Sequence, residues 1–334
     1  MGFKQFDMGE VFSGKASGNM ITGWDAPTAA TPAPNPNYIM PQWAMDIVAW
    51  LRMPAEDREP LYIFGPTGCG KTSCVKQIAS KINMPVHEIT GHNRLEFPEL
   101  VGHHTVVKGN MEFQYGPLAL AMRDGGLFIL NEIDLLDPST AAGLNSILDG
   151  SPLVIAENGG EIIAPHPEFR FVATANSNGA GDDTGLYQGV LRANLAFMDR
   201  FMLVEAKYMA PDREKDVLTR KFPKLPEDLL TKMVDYANHV RSMFIGATEQ
   251  DTHIADISTV DLNNDKFKTM QMPLTFSTRT LLRWAYLTNM YSPLKSKGVN
   301  VIKYSLDRSI GYRADPATRI ALHELAQSIF GYKE

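Results

Sequence analysis

Eight consecutive residues, Gly65-Pro66-Thr67-Gly68-Cys69-Gly70-Lys71-Thr72, constrain this chain more than anything else in it. They satisfy the pattern G-x-x-x-x-G-K-[ST]. They follow the apolar run Leu61-Tyr62-Ile63-Phe64 and open a stretch, 71–82, with helical character. A strand that ends in such a loop and re-enters a helix turns successive backbone N–H groups inward, and the helix N-terminus adds its positive end. The segment is therefore built to hold phosphate. Lys71 is placed to reach the outer phosphates, the Thr72 hydroxyl to ligate Mg²⁺, and Ser73 completes the binding segment. ATP with Mg²⁺ is the expected ligand.

Buried-strand runs recur at Leu127-Phe128-Ile129-Leu130, Phe169-Arg170-Phe171-Val172-Ala173 and Phe201-Met202-Leu203-Val204. Helical stretches lie between them, at 71–82, 118–123 and 139–148. Strands alternating with helices predict an α/β fold, a central parallel sheet flanked by helices. Ile39, Trp43, Ile47, Trp50 and Leu51 predict a further amphipathic helix that starts near residue 37. Beyond about Tyr208 helical patterns dominate, at 226–244, 278–291 and 315–330, and predict a small α-helical lid. Residues 1–37 are rich in Gly, Ser, Thr and Ala, with prolines at 27, 32, 34 and 36. They read as an irregular extended arm, either wrapped on a neighbouring subunit or a disordered leader. The expected division is arm 1–37, α/β nucleotide-binding core 38–207 and helical lid 208–334.

The strand at 127–130 runs into Asn131-Glu132-Ile133-Asp134. An acidic strand end beside a phosphate loop supplies a residue that orients Mg²⁺ and a glutamate that activates water. Asn131 stands at the first of these positions, and its amide oxygen accepts from a magnesium-bound water without contributing charge, so metal binding is weakened. Glu132 is the candidate base; the plainer alternative has Glu132 and Asp134 capping the helix near Ser139. Asn176, after the next strand, is the candidate to hold the lytic water. Arg200, in Met198-Asp199-Arg200-Phe201, is the candidate to stabilise charge on the γ-phosphate of an adjacent subunit, with Arg192 as second choice. A surface ion pair with Asp199 is the alternative for Arg200. In the lid, Ser277 suits an N-cap and Arg279 follows it as a candidate phosphate contact.

The net charge of -6, from 32 basic and 38 acidic residues, argues against a protein that mainly neutralises nucleic-acid backbones. The two cysteines, Cys69 and Cys74, form no disulfide framework, and no Cys or His spacing matches a zinc site. The N-terminal residues lack the apolar stretch of a signal peptide, and no run reaches the roughly 18 apolar residues of a membrane span. The expected setting is the cytoplasm, with no membrane contact.

Together these residues resemble the AAA+ ATPases of the MoxR-like branch, which holds the cobaltochelatase CobS, NorQ and CbbQ groups. The most specific stretch is His166-Pro167-Glu168-Phe169-Arg170-Phe171-Val172-Ala173-Thr174-Ala175-Asn176, continued by Gly181-Asp182-Asp183-Thr184-Gly185-Leu186-Tyr187 and Met198-Asp199-Arg200-Phe201. Leu100-Val101-Gly102, Gln114-Tyr115-Gly116-Pro117-Leu118 and Ser277-Thr278-Arg279-Thr280 share the likeness. The resemblance implies Walker A roles for Lys71 and Thr72, a Walker B base in Glu132, sensor 1 in Asn176, an arginine finger in Arg200 and sensor 2 in Arg279. Asn131 departs from the aspartate usual in the family. The resemblance further implies two inserted hairpins, for which 105–115 and 153–164 qualify. It also implies a homo-oligomeric ring, a hexamer, and a partner protein with a von Willebrand factor A (MIDAS) domain. The expected function is an ATP-driven ring that remodels or activates that partner, as in cobaltochelatase-type metal insertion. The alternatives are a nucleic-acid-associated motor and, because of Asn131, a nucleotide switch with weak hydrolysis.

Overall fold

The computed structural model describes residues 2–181, 189–244 and 272–332. Residues 182–187 of the resemblance therefore lie outside the described residues. The chain divides into two units. Met1–Pro36, Gln42–Gly65 and Lys71–Ala206 form the first; Asn37–Pro41, Pro66–Gly70 and Lys207–Glu334 form the second.

The first unit is built on a five-stranded parallel sheet. After a short N-terminal segment of β1 (Phe3–Asp7), α1 (Met8–Ser13) and β2 (Met20–Trp24) come α2 (Ala44–Leu51), β3 (Leu61–Phe64), α3 (Lys71–Lys81) and β4 (Val86–Thr90). Then follow α4 (Phe97–Val101), β5 (Gly102–Val107), β6 (Asn110–Tyr115), α5 (Pro117–Asp124) and β7 (Gly126–Asn131). The remainder is α6 (Pro138–Gly143), α7 (Asn145–Leu148), β8 (Leu153–Ile155), β9 (Glu161–Ile163), β10 (Phe169–Ala175), α8 (Leu195–Met198) and β11 (Met202–Glu205). The sheet order is β11-β3-β10-β7-β4, every pair parallel. Strand β3 thus has β10 and β11, both late in the chain, on its two sides. At such a reversal of strand order the carboxyl ends open a crevice for ligands. Both sheet faces are covered: Tyr62, Phe128, Leu130 and Phe171 are buried on one face, and Leu61, Ile63, Leu127, Ile129 and Val172 alternate with them on the other.

Three expectations meet a different structure here. The arm at 1–37 is irregular only in part. Its first half is the antiparallel pair β1–β2, with Phe3 edge-on to Trp24 at 5.3 Å. The proline-bearing stretch after it has no helix or strand, yet it is tied to its own chain. Val86 N–H donates to Ala30 (2.9 Å), the Thr31 hydroxyl to the Asn83 carbonyl (3.2 Å), and Asn35 N–H to Gln77 Oε1 (2.8 Å). Backbone groups that proline denies to a sheet are met by side chains and loop ends instead. The amphipathic helix expected from residue 37 starts only at Ala44, beyond Pro41, and its buried face is Ala44, Ile47, Val48, Trp50 and Leu51. The helix expected at 139–148 is two short ones, α6 and α7, joined at Leu144.

Both expected hairpins are present. β5 and β6 pair from Gly102↔Tyr115 to Val107↔Asn110, closed by Lys108 (φ 51°) and Gly109 (φ 87°), the two positive φ values of a type I′ turn. β8 and β9 pair Leu153↔Ile163 through Ile155↔Glu161.

Within the second unit the described elements beyond residue 207 are helical: α9 (Pro211–Lys221), α10 (Glu227–Ser242), α11 (Thr278–Tyr291), α12 (Val301–Ser309) and α13 (Pro316–Phe330). Their core is aromatic. Trp284 lies 4.9 Å from Tyr236, 5.6 Å from Phe276 and 5.5 Å from Phe330, ring centre to ring centre. Ser277 caps α11, its hydroxyl accepting from Thr280 N–H at 3.1 Å.

Candidate nucleotide site

The glycine loop has the backbone its glycines permit. Gly65, Gly68 and Gly70 have φ of 147°, 70° and 102°, values that side chains rarely adopt. A Cβ on Gly65 would lie 2.0 Å from the Ala206 carbonyl oxygen, so β11 closes on the loop at its base. A Cβ on Gly68 would lie 2.7 Å from Ser277 Cβ and 3.4 Å from Arg279 Cβ, which brings the loop tip against the start of α11. Cys69 is buried and α3 begins at Lys71, so the N–H groups of its first turn face the loop. Pro66 and Gly70 are half-buried, while Thr67 and Ser73 are exposed.

At the carboxyl ends of β3, β7 and β10 the polar side chains converge. Lys71 Nζ donates to the Gly65 carbonyl at 2.7 Å and to Asn176 Oδ1 at 3.2 Å. Thr72 Oγ1 donates to Asn131 Oδ1 at 2.6 Å, and Thr174 Oγ1 to the same oxygen at 3.2 Å. The β10–β7 register, Ala173↔Leu130, puts Thr174 beside Asn131. Thr174 was not singled out in the sequence; its place at the last inward position of a core strand was the available signal.

Asn176 is held by a residue that the sequence offered only as a cap. Asp134 Oδ2 accepts from Asn176 N–H (2.9 Å) and Ser177 N–H (3.3 Å). Burial pushes the Asp134 carboxyl up, against the pull of those two N–H groups and of the Lys71 charge. The Tyr62 hydroxyl donates to the Ser177 carbonyl at 3.1 Å; burial and the nearby Asp134 push this phenol well up. The turn after β10 is thus gripped from two sides. Helix α6 is capped instead by Asp137, which accepts from Ser139 N–H at 2.9 Å, so capping is not the work of Glu132.

Glu132 is exposed and left-handed, with φ 55° and ψ 45°. A non-glycine residue there carries strain. Its setting is tight: Gly91 N–H donates to the Asn131 carbonyl at 2.6 Å, and a Cβ on Gly91 would lie 2.7 Å from the Glu132 carbonyl oxygen. The carboxylate is turned out at the end of β7 while its backbone is pinned against Gly91.

Of the three candidate arginines, Arg192 and Arg200 belong to the first unit and Arg279 to the second. Arg200 makes a fork on Asp149, Nε to Oδ1 at 2.7 Å and a terminal nitrogen to Oδ2 at 3.1 Å, and also donates to the Ala196 carbonyl at 2.6 Å. Its ion-pair partner is therefore Asp149, 51 positions away, and not the neighbouring Asp199. The hydrogen bond to Asp149 raises the pKa of the guanidinium further. Arg192 is exposed and shares with Arg200 the lining of a cavity of about 180 Å³. Arg279 is exposed at the start of α11, beside Gly68.

The hydroxyl of Thr72 and the amide oxygen of Asn131 are hard oxygen donors side by side, which suits Mg²⁺ held partly through water. Among the described residues no group of three or more His, Cys, Asp or Glu could hold a metal by itself, and no helix is long and apolar enough to cross a membrane.

Residues 60–201 match the AAA domain of the dynein-related subfamily, and residues 214–329 match the CbbQ/NirQ/NorQ C-terminal family. The aerobic cobaltochelatase subunit CobS of a Sinorhizobium species is 29% identical over 241 residues, covering 70% of this chain and 66% of that one. NorQ of Paracoccus denitrificans is 27% identical over 207 residues, 62% of this chain and 73% of that one. The denitrification regulatory protein NirQ of Stutzerimonas stutzeri is 28% identical over 185 residues, 55% and 64%. The matched region spans about two thirds of the length of these relatives. With a parallel sheet ending in a glycine loop, the chain carries an AAA domain followed by a CbbQ/NirQ/NorQ C-terminal region, an arrangement consistent with a MoxR-like AAA+ ATPase and similar to CobS, NorQ and NirQ.

Proposed function

We propose that the protein binds and hydrolyses ATP as a subunit of a homo-oligomeric ring, a hexamer, and uses the cycle to remodel or activate a partner protein. The observation that carries this reading is the convergence of Lys71, Thr72, Asn131 and Asn176 at the strand ends beside the glycine loop. Lys71, shared between the Gly65 carbonyl and Asn176, exchanges those weak neutral partners for phosphate oxygens. Mg²⁺, when bound, neutralises charge on the β- and γ-phosphates, and Thr72 and Asn131 are the residues that hold it. Glu132 takes the proton from the attacking water, and Asn176, fixed by Asp134, orients that water. Arg279 contacts phosphate from the side of the loop tip. Arg200 serves the site of the adjacent subunit, for which it must leave Asp149.

Lys71→Ala is expected to abolish ATP binding. Glu132→Gln should bind ATP without turnover. Arg200→Ala should lose about 1,000-fold in turnover with ATP binding intact, the magnitude of an arginine finger. Wild-type rates in Arg200→Ala would sink the ring-completing role, and light scattering with and without ATP tests the hexamer.

The partner is proposed from the relatives, one of which is by name a subunit of a cobaltochelatase. The hairpins support it. Val106 and Met111, paired across β5–β6, are 70% and 72% exposed, and Val154 and Ile162, paired across β8–β9, are 60% and 67% exposed. Such outward apolar pairs suit contact with another protein. A von Willebrand factor A domain is the partner class we propose, acting in metal insertion or cofactor maturation. Capture on the ATP-trapped Glu132→Gln protein tests it, and stimulation of turnover by DNA would instead favour a nucleic-acid motor.

A second reading rests on Asn131. With no carboxylate beside Thr72 the metal is held less firmly, and the protein becomes a nucleotide switch with slow hydrolysis. Faster turnover in Asn131→Asp than in wild type would support it; brisk wild-type turnover would end it.

A further inference from the structure

The second unit contains a fully buried ion pair that the nucleotide chemistry above does not use. The Arg241 guanidinium meets Glu214 through two parallel bonds of 2.8 and 2.9 Å, and the two residues are 2% and 1% exposed. Two further N–H groups of Arg241 go to the Phe276 carbonyl (2.8 Å) and Asn238 Oδ1 (2.9 Å). A charge pair this dry survives only when its other lone pairs and protons are met, and such pairs are weak sources of stability. Their worth lies in fixing geometry.

What this pair fixes leads in two directions. On one side the guanidinium carbon lies 4.1 Å from the centre of the Tyr208 ring, and the Tyr208 hydroxyl donates to the Thr67 carbonyl at 3.1 Å. On the other, the Thr278 hydroxyl donates to Glu214 Oε1 at 2.5 Å, and the Phe276 carbonyl bonded by Arg241 lies two residues before Thr278. Thr67 belongs to the loop tip Pro66–Gly70, and Thr278 is the first residue of α11, immediately before Arg279. Gly68, next after Thr67, is the residue whose missing side chain lets Ser277 and Arg279 approach.

In a trans peptide the carbonyl and the following N–H point to opposite edges of one rigid plane. Anchoring the Thr67 carbonyl therefore also sets the direction of the Gly68 N–H, one of the donors that a phosphate loop aims at its ligand. We propose that Glu214, Arg241 and Tyr208 are positioning residues for nucleotide binding: they hold the Thr67–Gly68 peptide and the start of the Arg279 helix in one frame, so that both meet the phosphates together. This rests on the ATP-binding reading above. It assigns a task to a pair that would otherwise be a costly way to fill a core.

Tyr208→Phe keeps the ring beneath Arg241 and removes the hydroxyl that bonds Thr67. In the full chain, titrated with a fluorescent ATP analogue in the presence of Mg²⁺, the variant is expected to bind about fivefold more weakly, the scale of one neutral hydrogen bond. A merely structural role would not couple to Arg279. In a double-mutant cycle of Tyr208→Phe with Arg279→Ala, the loss from Arg279→Ala should shrink in the Tyr208→Phe background. Thr278→Val, which touches the other end of the network and not the loop, should couple to Arg279→Ala in the same way. Wild-type affinity in Tyr208→Phe, or strict additivity in both cycles, overturns the proposal while leaving ATP binding in place. A wild-type protein that does not bind the analogue removes the ATP reading itself, and this proposal with it.

Discussion

At Glu132 two demands on a single residue conflict. The left-handed backbone at φ 55° costs an ordinary L-residue roughly 1–2 kcal/mol, a cost glycine does not carry. Glu132→Gly should therefore raise stability by up to about 1 kcal/mol after its own entropy penalty, seen as a higher melting temperature, while turnover disappears. A fall in melting temperature would mean that the carboxylate contributes to folding. The polar residues of the crevice were largely legible in the sequence because the glycine loop sets their order along the chain. Lys71, Thr72 and Asn131 came from the motif and its spacing, and Asn176 from the end of the next apolar strand. What joins them was not legible. Asp134 under Asn176 and Asp149 on Arg200 are partners fixed by the approach of separate elements, and no spacing along the chain encodes them.

At the scale of elements, legibility followed burial. Strands β3, β7 and β10 are buried on both faces and read as unbroken apolar runs. The edge strand β4, Val-His-Glu-Ile-Thr, has no fully buried residue and was missed. So was α9, whose buried residues are only Glu214 and Leu218. The segment β1–α1–β2 was hidden by its glycines and serines. Its hinge is Asp7, which accepts from Ser17 N–H, Gly18 N–H and Glu10 N–H at 2.9, 2.7 and 3.0 Å. The bonds from Ser17 and Glu10 hold its carboxyl down at about 2, against an ordinary 3.8. Because the folded-state value is the lower one, this support is complete above 3.8 and is lost as pH falls towards about 2. Carboxyl chemical shifts should place the Asp7 midpoint near there, and Asp7→Asn should remove that titration while its amide oxygen still caps α1. The ion pair joining α9 to α10 makes a sharper prediction. Glu214→Leu alone strands a buried guanidinium and should cost about 3–5 kcal/mol, whereas Glu214→Leu with Arg241→Met should recover much of that loss. Denaturant melts of the two variants check it. If the pair positions the loop, the recovered double variant still binds nucleotide weakly.

Taken whole, the molecule crosses between its two units five times, at residues 36/37, 41/42, 65/66, 70/71 and 206/207. The parallel sheet and the helical character of the chain beyond 207 were visible in the alternation of patterns. The return of two five-residue pieces, Asn37–Pro41 and Pro66–Gly70, to the second unit was not, because it depends on contacts between residues about 140 and 210 positions apart, such as Tyr208 with Thr67 and Ser277 with Gly68. A fragment of residues 207–334 is accordingly expected to melt below the helical transition of the full chain, since it lacks the partner of the Tyr208 hydroxyl and the packing against Ser277. Equal melting temperatures for fragment and full chain would show those pieces to be dispensable.

That interleaving bears on how such a protein can be taken apart, by a protease or by recombination. A joint placed near residue 207 separates two stretches of sequence but not two complete bodies. The loop tip would remain with the severed N-terminal piece, while its anchors, Tyr208 and Ser277, would travel with the other. A lid exchanged between relatives would have to bring a compatible loop tip with it, so the heritable unit of this fold is larger than either of the segments that compose it.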